Sequence, residues 1–435
     1  MNWNAKWFYI AALMAGLTLY ACGGGGGGGG SPGTTTRSYW MGTTPFFATP
    51  SSFPDWRFEN LEDKDLLSIH ADDFWGVPWD WCNATGCALL PTPWISKWTN
   101  FANTAKSQGK TLYLALSPLQ DRKRLAPKVD PAGNTVQSWE SASQIDANGC
   151  YRFSTDANAA TYKAAYISYV KYLVNLVDAR FITPSVEMNI QFTQCPSQKA
   201  AWIAWYTDVH NALKAEFPSR VIFPTFQMEH MYGISNPQAA CSAGTSPATC
   251  FDQRLAEALA IPGDRIAFSA YPIYWKAQST NYPTDTYARV QGATTRKIWI
   301  AETGWSAVAI RRSYEHAGTS TCGADLFPAA MANNTEQEVY MRWLLTEAQT
   351  RGFESVIWWL NRDFLDGTVA ATCPCTPAGS DTCALTNAFY SAAGTSGEVL
   401  MRFFSNMALR NYDGSARPAR SAWREYFDRP LSQTP

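Results

Sequence analysis

Ile298-Trp299-Ile300-Ala301-Glu302-Thr303-Gly304-Trp305 is the stretch on which the fold of this chain turns, and Ser185-Val186-Glu187-Met188-Asn189-Ile190 is its counterpart upstream. Each reads as an apolar strand with a carboxylate near its C-terminal end, the end at which parallel α/β folds assemble their active sites. The interval between Glu187 and Glu302 leaves room for three strand–helix units.

Working outward, eight strand candidates can be counted: Tyr39–Phe46, Leu66–Ala71, Thr111–Ser117, Ser185–Ile190, Val221–Phe226, Ile266–Tyr271, Ile298–Glu302 and Ser355–Leu360. Helical patterns fall between them. Thr92-Pro93 reads as an N-cap with proline at the first helical position, and Ile95, Trp98, Ala102 and Ala105 follow at helical spacing until Gly109. Tyr162, Tyr166, Tyr169, Val170, Leu173 and Val177 mark a second helix, and Trp202, Trp205, Val209 and Leu213 a third before Pro218. Thr335-x-x-Glu338 has the form of a capping box opening a helix that Gly352 closes. Strands alternating with helices imply a parallel sheet, and eight such units imply a single (β/α)8 barrel, an α/β TIM barrel, over residues 39–435.

The first 38 residues stand apart from that fold. Trp7 to Leu19 is an uninterrupted apolar or small-residue run behind the single charge of Lys6, too short and wrongly flanked for a transmembrane helix. It reads as an export signal over residues 1–21. Leu19-x-Ala21-Cys22 resembles the bacterial lipobox, with Tyr20 bulkier than the residue usual there. The resemblance implies cleavage before Cys22 and a lipid on its thiol, which would place the protein in the bacterial cell envelope. Gly23 to Gly30 and the following Ser-Pro-Gly-Thr would form a flexible tether over residues 22–38.

A net charge of −1 without a basic cluster argues against nucleic acid as a partner. Membrane contact is therefore expected through the lipid alone, and the protein is expected to act as a monomer. Beyond Cys22 ten cysteines remain, an even number in keeping with disulfides in an exported chain. Cys82/Cys87 and Cys241/Cys250 suggest local loops, and the other pairings stay open. All ten fall after a strand and before its helix, on the C-terminal face of the expected barrel, where they would staple the walls of a cleft. Cys373-Pro374-Cys375 has poor spacing for zinc, and the chain holds only four histidines. No cofactor is expected.

Two carboxyl groups facing each other across a barrel mouth are what acid-assisted cleavage of a glycosidic bond requires, one to protonate the leaving oxygen and one to attack or to activate water. The 19 tryptophans fit such chemistry as flat faces for sugar rings, and they fit an aromatic core equally. Trp299-Ile300-Ala301-Glu302-Thr303-Gly304-Trp305 resembles the seventh-strand nucleophile motif of clan-A retaining glycoside hydrolases, nearest in character to endo-β-1,4-galactanases and plant-type β-1,3-glucanases. The resemblance implies Glu302 as nucleophile and Glu187 as acid/base. In that clan the acid follows an asparagine directly, whereas here Glu187 follows Val186 and Asn189 comes two residues later, a candidate to take that asparagine's place at the sugar. Ser269-Ala270-Tyr271-Pro272 resembles the clan's segment whose tyrosine bonds the nucleophile. Val356-Ile357-Trp358-Trp359-Leu360 resembles its eighth strand, implying Trp358 or Trp359 as the floor under the sugar. Trp305 is a further candidate contact.

His70, Asp72 and Asp73 close the second strand and are candidates to bind hydroxyl groups. Glu229, beside His230 after the fifth strand, is the alternative acid or a substrate contact. Arg122 and Arg124 are expected to pair with carboxylates or to face solvent. The rival reading is a non-catalytic glycan-binding barrel, and a metal-dependent hydrolase stands third. No phosphate-cradling glycine loop or serine nucleophile elbow is present.

Overall fold

The computed structural model describes residues 36–44, 59–71, 75–234, 241–277, 282–313, 322–363 and 403–432. Cys22, Asp72, Asp73, Cys373, Cys375 and Cys383 lie outside these residues. Eight parallel strand segments form the sheet: β1 (Trp40–Thr44), β2 (Leu66–His70), β3 (Thr111–Ala115), β4 (Phe181–Thr183), β5 (Val221–Ile222 continuing as Thr225–Gln227), β6 (Arg265–Ala270), β7 (Lys297–Thr303) and β8 (Ser355–Trp359). Each pairs with the next, and β8 pairs back onto β1. The two halves of β5 pair with β4 and β6 respectively. Pro224 divides them because it has no N–H to give a ladder. The flanking amides of Phe223 and Thr225 still donate to Ile182 and Ser185 on the β4 side. The sheet therefore closes on itself as a TIM barrel.

Side chains alternate between two layers, as strand geometry demands. Trp40, Leu66, Tyr113, Phe181, Phe223, Trp299 and Ile357 fill the barrel interior. Their neighbours Met41, Leu67, Leu112, Ile182, Ile298 and Val356 face the helices, in a layer that also contains Trp94, Trp98, Tyr166, Trp202 and Trp205. Most of the tryptophans thus serve the core.

The helices that matter for the site are α1 (Thr92–Ser107), α2 (Ala159–Val177), α3 (Met188–Gln194), α4 (Lys199–Glu216), α5 (Met228–Met231), α6 (Pro247–Leu259), α7 (Ile273–Ala277), α8 (Thr286–Ala293), α9 (Asn334–Arg351) and α10 (Pro418–Phe427). The expected capping box of α9 is replaced by a neighbouring cap. Asn333 accepts the Glu336 amide at 3.0 Å, while Glu338 turns outward to Arg342. Gly352 closes α9 in the left-handed region, at φ 60°. Trp423 of α10 donates to the Asp63 carbonyl, and Arg420 pairs with the Asp63 carboxylate, fastening the C-terminal helix to the β1–β2 connection.

The fourth strand differs from its expected place. It spans Phe181–Thr183 rather than Ser185–Ile190, and the carboxylate-bearing run begins a helix instead. Pro184 has no amide to extend the ladder, and Met188 and Phe192 recur at helical spacing on the buried side of α3. Glu187 sits at the junction as the residue before α3, with φ 48°.

Among the described residues, disulfides join Cys82 to Cys87, Cys150 to Cys195 and Cys241 to Cys250. Cys250 lies inside the first turns of α6 rather than before the helix.

Candidate active site

Strict alternation along β7 would send Glu302 outward, because Trp299 and Ala301 both face the interior. A register shift prevents this. Phe268 pairs with Ile300, but the next residue, Ser269, pairs with Glu302; on the other side Ile300 pairs with Val356 and Thr303 with Trp358. One extra residue is thus accommodated in β7, and such a bulge re-aims the side chain that follows it. Glu302 turns into the mouth, and Thr303 turns to the helix layer, where its hydroxyl meets Tyr340 at 2.6 Å. Gly304 is required next: a Cβ there would lie 2.6 Å from the Met407 sulfur and 3.0 Å from the Trp359 carbonyl.

The Glu302 carboxylate is 7% exposed and held from two strands. Tyr271, directly after β6, donates its hydroxyl to Oε2 at 2.9 Å. His70, the last residue of β2, places Nδ1 3.1 Å from Oε1. Burial, with Glu302 and Glu187 adding to it, pushes the Tyr271 phenol far above its ordinary range, so it remains a donor.

Glu187 lies in the turn between β4 and α3. Its amide donates to the Thr225 hydroxyl at 2.8 Å, and its carboxylate meets the Arg122 guanidinium at 3.3 Å. Proximity to Glu187 helps raise Tyr271, Tyr274 and Glu229 above their ordinary values, which puts it near the phenol that bonds Glu302. Arg124 pairs with Glu140, so both arginines of this hairpin have carboxylate partners.

Glu229 is fully buried rather than open to a substrate. Oε1 accepts the Tyr271 amide at 2.8 Å and Oε2 the Gln227 side-chain amide at 2.9 Å. Burial first, then the charge of Glu187, pushes its carboxyl up to about 8. It is therefore a neutral prop beneath Tyr271 at pH 7. Asn189 is also occupied: its side-chain amide bonds the Gln227 carbonyl and amide at 3.0 and 2.8 Å, tying α3 to β5.

The tryptophans divide. Trp358 is fully buried, donates to the Met407 carbonyl and packs on Tyr340. Trp305 is buried as well, donating to the Met331 carbonyl. Trp359 is half-buried beside the site, its ring edge-on to His70 at 5.8 Å and tilted against Phe404 at 5.3 Å. Phe403 and Phe404 both pack on Tyr271. Sequence reading missed these two because they follow no strand. Tyr274 was also missed, although its place in Tyr271-Pro272-Ile273-Tyr274 was a usable signal. Among the described residues no three His, Cys, Asp or Glu side chains converge as metal ligands.

No protein-family model matches the chain, and no curated protein sequence matches it. Solved structures share its fold. One is a GH5_18 enzyme variant from Bifidobacterium longum subsp. longum in complex with Manβ1-4GlcNAc, with a TM-score of 0.52 at 14% identity over 91% of this chain and 79% of that one. Another is a GH5_18 protein from Bifidobacterium longum subsp. infantis, at TM-score 0.50 and 14% identity over 92% and 80%. A third is an exo-β-1,4-mannosidase from Opitutaceae bacterium strain TAV5, at TM-score 0.50 and 12% identity over 90% of this chain and 60% of that one. The barrel is thus of the kind found in glycoside hydrolases.

Proposed function

We propose that this chain is an exported glycoside hydrolase that cleaves its substrate with retention of configuration, Glu302 acting as nucleophile and Glu187 as acid/base. The observation that carries the reading is the bulge-directed Glu302 carboxylate, bonded by Tyr271 and contacted by His70 at the barrel mouth, with Glu187 in the turn after β4 near the same tyrosine.

In the first step a Glu302 oxygen bonds the anomeric carbon as the glycosidic C–O bond breaks, and the departing oxygen takes the Glu187 proton. In the second, Glu187 takes a proton from water, whose oxygen bonds the anomeric carbon and releases Glu302. Tyr271 and His70 orient the nucleophile, and Trp359 with Phe404 supplies an apolar face for the sugar. The Manβ1-4GlcNAc complex and the exo-β-1,4-mannosidase among the fold neighbours make β-mannosides the first substrates to try. In this reading Cys22 carries the lipid that tethers the enzyme to the cell envelope.

The test is a panel of aryl glycosides and polysaccharides, β-mannosides first, with a 2-fluoro glycoside as trap. A mass increment of one fluorosugar on the Glu302 peptide supports the mechanism. Glycan binding without turnover by the wild type would instead identify a binding barrel. For the tether, Cys22→Ser is expected to release the folded protein from the membrane fraction. A variant that stays membrane-bound and uncleaved would refute the lipidation.

A further inference from the structure

The hairpin after β3 pairs Leu119–Gln120 with Arg124–Leu125, and its tip presents Arg122 to Glu187. The Lys123 amide donates to the Gln120 carbonyl at 3.0 Å across Asp121 and Arg122, whose φ angles are 50° and 57°. Two positive φ values at the central positions of a β-turn define the type that favours Asn-Gly, because side chains resist that backbone. Here neither residue is glycine. A strained backbone persists only where surrounding contacts enforce it, and strain of this kind collects at functional sites.

The enforcing contacts lead back to the acid side. The Lys123 carbonyl accepts the Tyr151 amide at 2.9 Å. The adjacent Cys150 is bonded to Cys195, and Cys195 is the residue that ends α3, the helix that Glu187 begins. Arg122 and Glu187 are therefore the two ends of one clamp, closed by a disulfide on the Glu187 side and by a backbone hydrogen bond on the Arg122 side. We infer that Arg122 is a positioning residue for the acid/base glutamate, held on it by this turn and disulfide, and that its guanidinium determines the upper pH limit of turnover. The inference rests on the assignment of Glu187 as acid/base.

The groups facing Glu187 explain why a cation belongs there. They include Glu229 after β5 and Tyr271 and Tyr274 after β6, with Glu302 reached through Tyr271. Glu229, Tyr271 and Tyr274 are neutral there and none brings a positive charge, while Glu302 beyond Tyr271 is the second carboxylate of the site. A second negative charge disfavours ionisation of a carboxyl, whereas a guanidinium in contact favours it. Glu187 must give up a proton in the first step and take one back in the second, so neither form can be too stable. Among the groups named, Arg122 is the cation that supplies the balance.

Full-length protein labelled with [5-13C]glutamate is titrated by NMR, the Glu187 signal being assigned by its loss in Glu187→Gln. Arg122→Gln is expected to raise the Glu187 midpoint by about one pH unit or more. Arg122→Lys, which keeps the charge, should move it by less than half as much. The alkaline limb of kcat/KM should shift upward with the midpoint, since the first step needs protonated Glu187. A folded Arg122→Gln protein with an unmoved midpoint overturns the inference. Arg122→Met, which keeps the packing of the side chain, is read by the same criterion where Arg122→Gln does not fold. Full turnover by Glu187→Gln would instead overturn the acid/base assignment, a separate result that leaves the titration of the pair readable.

Discussion

Glu302 stands at a strand end and Glu187 in the turn after one, and the barrel holds them by different means. The Glu302 side is built from continuous paired strands with one bulge in β7. β6 pairs with β7 along its whole length and β7 with β8 on both sides of the bulge, and the carboxylate is contacted by residues that end or directly follow β2 and β6. The Glu187 side is built from fragments. β4 has three residues, β5 is split by Pro224, and the acid itself occupies a left-handed corner between strand and helix. What strands do for Glu302 is done for Glu187 by the Thr225 hydroxyl, the Asn189 amide, the Arg122 guanidinium and the Cys150–Cys195 disulfide. A nucleophile has to hit one carbon at one angle and gains from rigid positioning. An acid/base, the role proposed for Glu187, has to change its protonation twice.

This contrast orders the expected effects of mutation. Glu302→Gln should lower kcat on the order of 10^4-fold or more while leaving the thermal midpoint in place. A fully active variant would remove the strand-held side from the chemistry. Glu187→Ala should cost about 10²–10⁴-fold on substrates with poor leaving groups and much less on activated aryl glycosides, which need no proton. Equal losses on both substrate types would show that Glu187 is not the acid. Tyr271→Phe removes one hydrogen bond to a charged group, worth roughly 1.5–3 kcal/mol, or about one to two powers of ten in kcat/KM. Cys150→Ser with Cys195→Ser opens a closure spanning 45 residues. It should cost about 2–4 kcal/mol in denaturant unfolding, and it should weaken the Glu187-dependent reaction more than trapping at Glu302.

The same division separates what was legible in the sequence from what was not. The long apolar runs of β2, β3, β6, β7 and β8 were readable because each strand is continuous and turn residues bound it. β4 was misplaced because Val186-Glu187-Met188-Asn189-Ile190 alternates apolar and polar residues as a strand does, and only pairing in space shows that the ladder stops at Thr183. The direction of Glu302 could not come from alternation, since the bulge that reverses it is a property of two neighbouring strands. The acid side was hidden for another reason: Arg122 and Glu187 meet through a turn and a disulfide that no local pattern encodes. Asn189 shows the limit of reading by analogy, for its side chain is spent on the β5 backbone.

Glu229 joins the two sides, and the smallest expected effect concerns it. Its carboxyl is buried beneath Tyr271 and pushed up to about 8, from an ordinary value of 4.5. The unfolded chain releases this proton near 4.5, whereas the folded protein keeps it until about 8. Between those values the folded state binds the extra proton, so raising the pH must lower stability across that window and have no further effect through this group above it. Glu229→Gln has no proton to lose, though its amide meets the Gln227 amide at a position where the acid accepted a bond. The variant should therefore start out less stable at pH 5, and its deficit against the wild type should shrink steadily as the pH approaches 8. Denaturant unfolding of both proteins at half-unit intervals measures that difference directly. A deficit constant from pH 5 to 9 would mean that Glu229 ionises in the fold as it does in the open chain. In that case the prop beneath Tyr271 would be a charged carboxylate, and the neutral link between the strand-held and clamp-held sides would have to be given up.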